Sequence, residues 1–193
     1  MAYNKLFNLI STQISINEQD FNLVKALFES VKHKKNDFLE FENKIPENLY
    51  FINGGFVRVF HYQNGNEITS HINCPPGFIT SFNGFINRKK SIDNVKCITD
   101  CDLLKINRKN FDLLYQKCLN WDTFSKRIYE KSLLYNEQRA QDMITCTADE
   151  RYHNLMKNHP EIIQNVPLQY IASYLGIEPQ SLSRIRKKIA TLS

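Results

Sequence analysis

The chain has 193 residues and a mass of 22.7 kDa, enough for one large domain or two small ones with a sizeable core. Hydrophobic residues make up 42% and charged residues 23%, the balance of a folded chain rather than a disordered one. No apolar stretch approaches the roughly 20 residues of a membrane span, and the opening MAYNKLFNLISTQISINEQDF lacks the order of a secretory signal. Membrane and secreted classes are excluded, and a cytoplasmic location is expected.

The net charge of +5 says little by itself, but its placement says more. Between Arg184 and the C-terminus, Arg184, Arg186, Lys187 and Lys188 stand without an acid, a local positive end suited to a polyanion. The five cysteines, Cys74, Cys97, Cys101, Cys118 and Cys146, are odd in number and form no CxxC, so reduced thiols are expected. Cys97 and Cys101 are four apart, yet no second Cys or His pair has the spacing to complete a metal site. The sequence therefore predicts no metal and no cofactor.

In chain order, Phe7 to Lys35 reads as helical, with Phe21, Val24, Leu27, Phe28 and Val31 recurring at spacings of three and four. Short strand-length apolar runs follow from Leu39 to Ile106. The clearest, Leu49 to Tyr62, leads into Asn64-Gly65, a strong hairpin signal because both positions tolerate positive φ. Beyond the turn, Ile68, Ser70 and Ile72 alternate with Thr69, His71 and Asn73, and two more strands flank Asp100. Several close short strands predict an antiparallel roll.

Helix returns after Asn107. From Asn120 to Ile144 there is neither Gly nor Pro, and Trp121, Phe124, Ile128, Tyr135 and Met143 fall near one stripe. So long a helix with a narrow apolar stripe usually finds a partner, often its own copy; packing along the roll is the alternative. A further helix runs from Ala148 to Asn158, broken at His159-Pro160, and two short ones follow, Leu168–Leu175 and Pro179–Ala190.

The last pair carries the function. Ile171, Ala172 and Leu175 form an inner face, and Ala172 lets a second helix cross closely. Gly176 supplies a left-handed residue for the turn, and Pro179 opens the next helix, where its missing N–H costs nothing. In that helix Leu182, Ile185 and Ile189 cluster on one side, while Gln180, Arg184 and Lys187 fall opposite. This is a helix-turn-helix, whose second helix enters the DNA major groove. Arg184 can pair bidentately with guanine and Gln180 with adenine, and the lysines suit phosphates. A solvated basic helix is the plainer alternative.

The whole chain resembles the Crp/Fnr-type transcriptional regulators, most specifically in YIASYLGIEPQSLSRIRKKI (170–189) and LYFINGGFVRVFHYQNGNEI (49–68). It is similar to the branch common in Bacteroidetes. The resemblance implies an α+β fold: an N-terminal antiparallel β-roll (a cyclic-nucleotide-binding-like jelly roll), a long dimerisation helix and a C-terminal winged helix-turn-helix. Expected domains are 1–119, 120–145 and 146–193. The resemblance places Gln180, Ser181 and Arg184 at base edges and Ser183, Arg186, Lys187 and Lys188 toward phosphates. It implies a homodimer on a two-fold-symmetric duplex site, with half-sites about 34 Å apart, and RNA polymerase and an unidentified small-molecule effector as further partners.

Two departures stand out. Glu178 occupies a position where relatives carry a Ser or Thr helix cap, and it caps less well. In the ligand pocket, cyclic-AMP-binding members carry Gly-Glu and, further on, Arg-Ser or Arg-Thr. Here Thr80-Ser81 and Ser91-Ile92 align with those positions, so the charged Glu and Arg are both missing. Arg88, Lys89 and Lys90 lie just before Ser91 and are the possible substitutes, although such a run is usually a solvated loop. Cyclic AMP binding in the usual way is not expected. His61 and His71 read as structural or exposed, and the chain carries no nucleophile elbow, P-loop or paired-carboxylate signature of an enzyme. A sensor acting mainly through protein contacts is the competing reading.

Overall fold

A computed structural model describes residues 2–191; Met1, Leu192 and Ser193, the outermost residues of the expected first and last domains, lie outside the described residues. The chain opens with α1 (Asn4–Gln13) and α2 (Glu18–Leu27). Asn17 caps α2 by accepting from the Asp20 N–H at 2.8 Å. The helical stretch expected to reach Lys35 ends earlier, because Phe28 is already extended and strand β1 (Glu29–His33) follows. Val31 lies in that strand opposite Leu103. A spacing of three suits a helix face, but a β-branched residue with a strand partner settles in the sheet.

The remaining strands are β2 (Phe38–Glu40), β3 (Asn48–Gly54), β4 (Val57–Gln63), β5 (Asn66–Asn73), β6 (Gly77–Ile79), β7 (Asn94–Cys97) and β8 (Cys101–Asn107). They form two four-stranded antiparallel sheets, ordered β1-β8-β3-β6 and β2-β7-β4-β5. Tyr50, Ile52, Val59, Val95 and Leu103 pack with one another in the core of the roll. Gly54-Gly55 carries the chain from one sheet to the other rather than closing a hairpin. Gly55 has φ +88°, and a Cβ there would sit 2.4 Å from the Asp100 carbonyl oxygen, so only glycine fits the corner. Asn64 and Gly65 both have positive φ, as the hairpin signal required.

The expected alternation along β5 fails at one point. Register shifts between Val59 and Phe60, which oppose His71 and Thr69, leaving Ser70 as the extra residue of a bulge. Thr69 and Ile72 are consequently the buried residues of β5, not Ile68, Ser70 and Ile72.

Helix α3 (Phe82–Asn87) connects β6 to β7, and α4 (Arg108–Lys117) follows β8. Helix α5 (Trp121–Thr145) has 25 residues, about 37 Å at 1.5 Å each. Trp121 and Phe124 anchor its first turn in a core with Leu6, Ile10, Phe51 and Leu104. Further on it is open to solvent: Leu133 is 60% exposed, Leu134 70% and Ile144 85%.

The C-terminal part comprises α6 (Ala148–Asn158), α7 (Pro160–Asn165), α8 (Leu168–Tyr174) and α9 (Pro179–Ala190). Thr147 and Glu150 form a capping box at the start of α6, and Pro160 opens α7. Leu155, Ile162, Ala172, Leu175, Leu182 and Ile185 form one core, which also takes in Ile72 and Ile98 of the roll. The expected succession of roll, long helix and helix-turn-helix is thus present. No strand follows β8 among the described residues, so the expected wing is not seen there.

Candidate nucleic-acid interface and pocket positions

The turn between α8 and α9 is built as its residues suggest. Gly176 has φ +67°, and the Gly176 and Ile177 N–H groups donate to the Ser173 and Ala172 carbonyls at 3.0 Å each. Ala172 and Leu182 are fully buried and Ile185 nearly so, which fixes the roll of α9 about its axis. Gln180, Ser183, Arg184, Arg186, Lys187 and Lys188 are therefore exposed, while Ser181 is half-buried. Lys188 is drawn to Asp149 of α6 at 2.9 Å. Glu178 stands at the N-cap of α9 without a side-chain hydrogen bond, as expected of a poor capping residue.

Of the positions aligned with the ligand pocket, Thr80, Ser81 and Ser91 are all buried, and the Ser81 and Ser91 hydroxyls touch. Two carboxylates that sequence reasoning missed meet them there. Glu40, buried on β2, accepts from the Thr80 hydroxyl at 2.7 Å and from the Ser81 N–H at 2.8 Å. The Ser81 hydroxyl donates to Asp93 at 2.9 Å, so the 2.6 Å contact between Ser81 and Ser91 is donated by Ser91. The Asp93 N–H closes the ring by donating to the Ser91 hydroxyl at 2.8 Å. Burial pushes the Glu40 carboxyl up to about 7, despite the two hydrogen bonds that favour its ionised form. Nothing local in Phe38-Leu-Glu-Phe-Glu marks Glu40 as an inward residue; only its pairing with β7 turns it into the roll.

Arg88 and Lys90 do not join this cluster. Both are exposed, and Arg88 pairs with Asp112 of α4 at 3.1 Å. His61 faces Asp93 at 3.8 Å. His71 contacts Ser70 at 3.3 Å and Asn136 of α5 at 3.2 Å, and burial lowers its pKa. Both histidines thus have structural partners.

The C-terminal helices dock on the roll through α8. Ser173 accepts from the Thr69 N–H at 2.8 Å and donates to the Glu67 carbonyl at 3.1 Å. Arg58 of β4 is buried between the Phe60 and Tyr170 rings, and its guanidinium pairs with Glu67. On the other side of α8, Arg139 of α5 donates to the Tyr174 carbonyl at 2.9 Å, and the Tyr135 and Tyr174 hydroxyls meet.

Residues 30–118 match the cyclic nucleotide-binding domain family. No curated protein matches the sequence. Among solved structures, the c-di-GMP responsive global regulator CLP of Xanthomonas campestris aligns with TM-score 0.67 and 16% identity, over 91% of this chain and 92% of its own. FixK2 from Bradyrhizobium japonicum aligns with TM-score 0.70 and 15% identity over 86% and 85%. A crp/fnr-family regulator from Eubacterium rectale gives 0.69 and 14% over 91% and 84%. The chain has the Crp/Fnr fold. The ring around Ser81 lies within the stretch that matches the cyclic nucleotide-binding domain family, and α8–α9 lies outside it, in the part aligned by fold.

Proposed function

We propose that the chain is a homodimeric, sequence-specific DNA-binding transcriptional regulator of the cytoplasm, without enzymatic activity. The observation that carries the proposal is α9, which buries Leu182 and Ile185 and turns Gln180, Arg184 and Lys187 outward. An N-terminal half bearing an amide and a guanidinium is the chemistry that reads base edges in the major groove. Gln180, Ser181 and Arg184 read bases; Ser183, Arg186, Lys187 and Lys188 contact phosphates, Lys188 after leaving Asp149. The division of labour is 1–119 for sensing, 120–145 for dimerisation and 146–193 for DNA binding. The bare apolar positions along α5 support a two-fold partner that places two recognition helices on one palindrome.

The sensing pocket is degenerate. A cyclic phosphate needs donors and a cation, yet the Thr80 hydroxyl and the Ser81 N–H already serve Glu40, and the Ser81 hydroxyl serves Asp93. A buried anion placed against two carboxylates with no guanidinium costs several kcal/mol. Cyclic AMP does not bind there in the usual way; a different small molecule is the effector, and RNA polymerase is the further partner.

Selection from randomised duplex DNA with purified, ligand-free protein tests the reading. Enrichment of a palindrome is expected. Equal affinity for random and selected DNA would instead favour a sensor working through protein contacts, with α9 as a solvated basic helix. Titration with cyclic AMP should give no saturable heat; saturable binding would refute the degenerate pocket.

A further inference from the structure

Cys74 lies just after β5 on the roll, whereas His159 and Glu161 lie at the α6–α7 junction of the C-terminal helices. In the fold they converge. The Cys74 Sγ stands 3.2 Å from Glu161 Oε1, His159 Nδ1 stands 3.3 Å from the same oxygen, and all three atoms lie within 4.8 Å of one another. A tetrahedral zinc-class ion, with bonds of about 2.3 Å to sulfur and about 2.0 Å to nitrogen or oxygen, separates its ligands by about 3.3–3.5 Å. Two of the three separations already match that within a few tenths of an ångström. All three side chains are half-buried, so they are sheltered yet reachable. A cavity of about 250 Å³ between α5 and α6 is lined by His159 and opens beside the imidazole. The Tyr135 ring packs edge-on against the imidazole, with centroids 6.1 Å apart, and holds its plane.

We infer that Cys74, His159 and Glu161 form a binding site for a divalent zinc-class cation that clasps the β-roll to the helix-turn-helix unit. Thiolate, imidazole and carboxylate together are a borderline-soft donor set, which suits Zn²⁺ and disfavours Mg²⁺ and Ca²⁺. The site bridges two parts of the chain already joined by Ser173 and Arg58. A bound ion therefore raises the stability of the docked arrangement by mass action. The inference stands apart from the DNA-binding reading and needs no DNA to test.

The reduced, metal-free full chain is titrated with Co²⁺ as the probe. Saturation at one equivalent is expected, with a thiolate-to-cobalt charge-transfer band and the visible bands of a four-coordinate site. Zn²⁺ should displace the Co²⁺ and raise the melting temperature, whereas Mg²⁺ should do neither. Cys74→Ser should abolish the charge-transfer band, His159→Ala should weaken Co²⁺ binding at least tenfold, and Cys146→Ser should leave the spectrum intact. Glu161→Gln, which preserves shape, should alter the visible bands and weaken binding. A native chain without the band, or a band that survives in Cys74→Ser, overturns the site. An unchanged spectrum and affinity in Glu161→Gln removes Glu161 as a ligand and overturns it as drawn.

Discussion

The Arg58 guanidinium carbon lies 3.7 Å from the Tyr170 ring centroid, joining strand β4 of the roll to helix α8 of the helix-turn-helix. Phe60 covers its other face at 4.0 Å, and Glu67 balances the charge from the hairpin partner strand. A buried cation between two rings and beside a carboxylate is held only while all three stay in place. The docked position of α8 is thus coupled to the conformation of the β4–β5 hairpin.

Replacing Tyr170 with Leu keeps apolar area but removes the ring from the cation. We expect a loss of about 2 kcal/mol of unfolding free energy and faster amide exchange along α8, with the strands of the roll largely unaffected. Unchanged protection of α8 would mean that the Ser173 bonds and the apolar contacts alone hold the dock.

Glu40 makes stability depend on pH. Its carboxyl is raised from 4.5 to about 7 by burial, so the folded chain holds a proton that the unfolded chain has already released between those values. Folding stability from this group is complete below about 4.5 and declines as pH rises through about 7. Glu40→Gln retains a carbonyl oxygen for the Ser81 N–H and carries no charge. The variant should gain on the native chain above neutrality by up to about 3 kcal/mol, and the gain should vanish near pH 4 to 5. Chemical denaturation at both pH extremes checks this, and a gain that does not change with pH would assign the effect to packing instead.

Helix α5 offers a surface for a second copy. At 100° per residue, Tyr129, Leu133, Ala140 and Ile144 fall within about 60° of arc, and all four are exposed. Leu133→Glu should raise the dimer dissociation constant by about a hundredfold, since each protomer then presents a charge in place of an apolar side chain. Sedimentation equilibrium reads this directly; an unchanged mass distribution would place the interface elsewhere.

Much of the fold was legible because its signals are local. Asn64-Gly65, Gly176, Pro179 and the Leu182–Ile185 spacing each act within a few residues, and each forms the turn or helix face expected. What the sequence hides depends on pairing across the chain. Val31 reads as helical until β8 offers it a partner, and Thr69 turns inward only because of the bulge beside Phe60. Glu40 on β2 and Asp93 just before β7 meet Ser81, just after β6 of the other sheet, from 41 and 12 residues away. Cys74, 87 residues from Glu161, has no sequence spacing that marks it as a partner.

The outward residues of α9 should separate by role. Arg184 and Lys187 are both exposed, and neither makes an ion pair among the described residues. A guanidinium placed against guanine contributes about 1–3 kcal/mol of discrimination at one base pair, whereas an ammonium near phosphate adds charge without reading sequence. Arg184→Ala should therefore relax preference at one position of each half-site while keeping the overall salt dependence close to native. Lys187→Ala should weaken every site alike and flatten the logarithmic salt slope by about 0.9 for each phosphate it no longer neutralises. Fluorescence anisotropy on the selected palindrome and on single-base variants, at several salt concentrations, resolves the two effects. If Arg184→Ala leaves both affinity and preferred sequence unchanged, α9 does not enter the groove with this face.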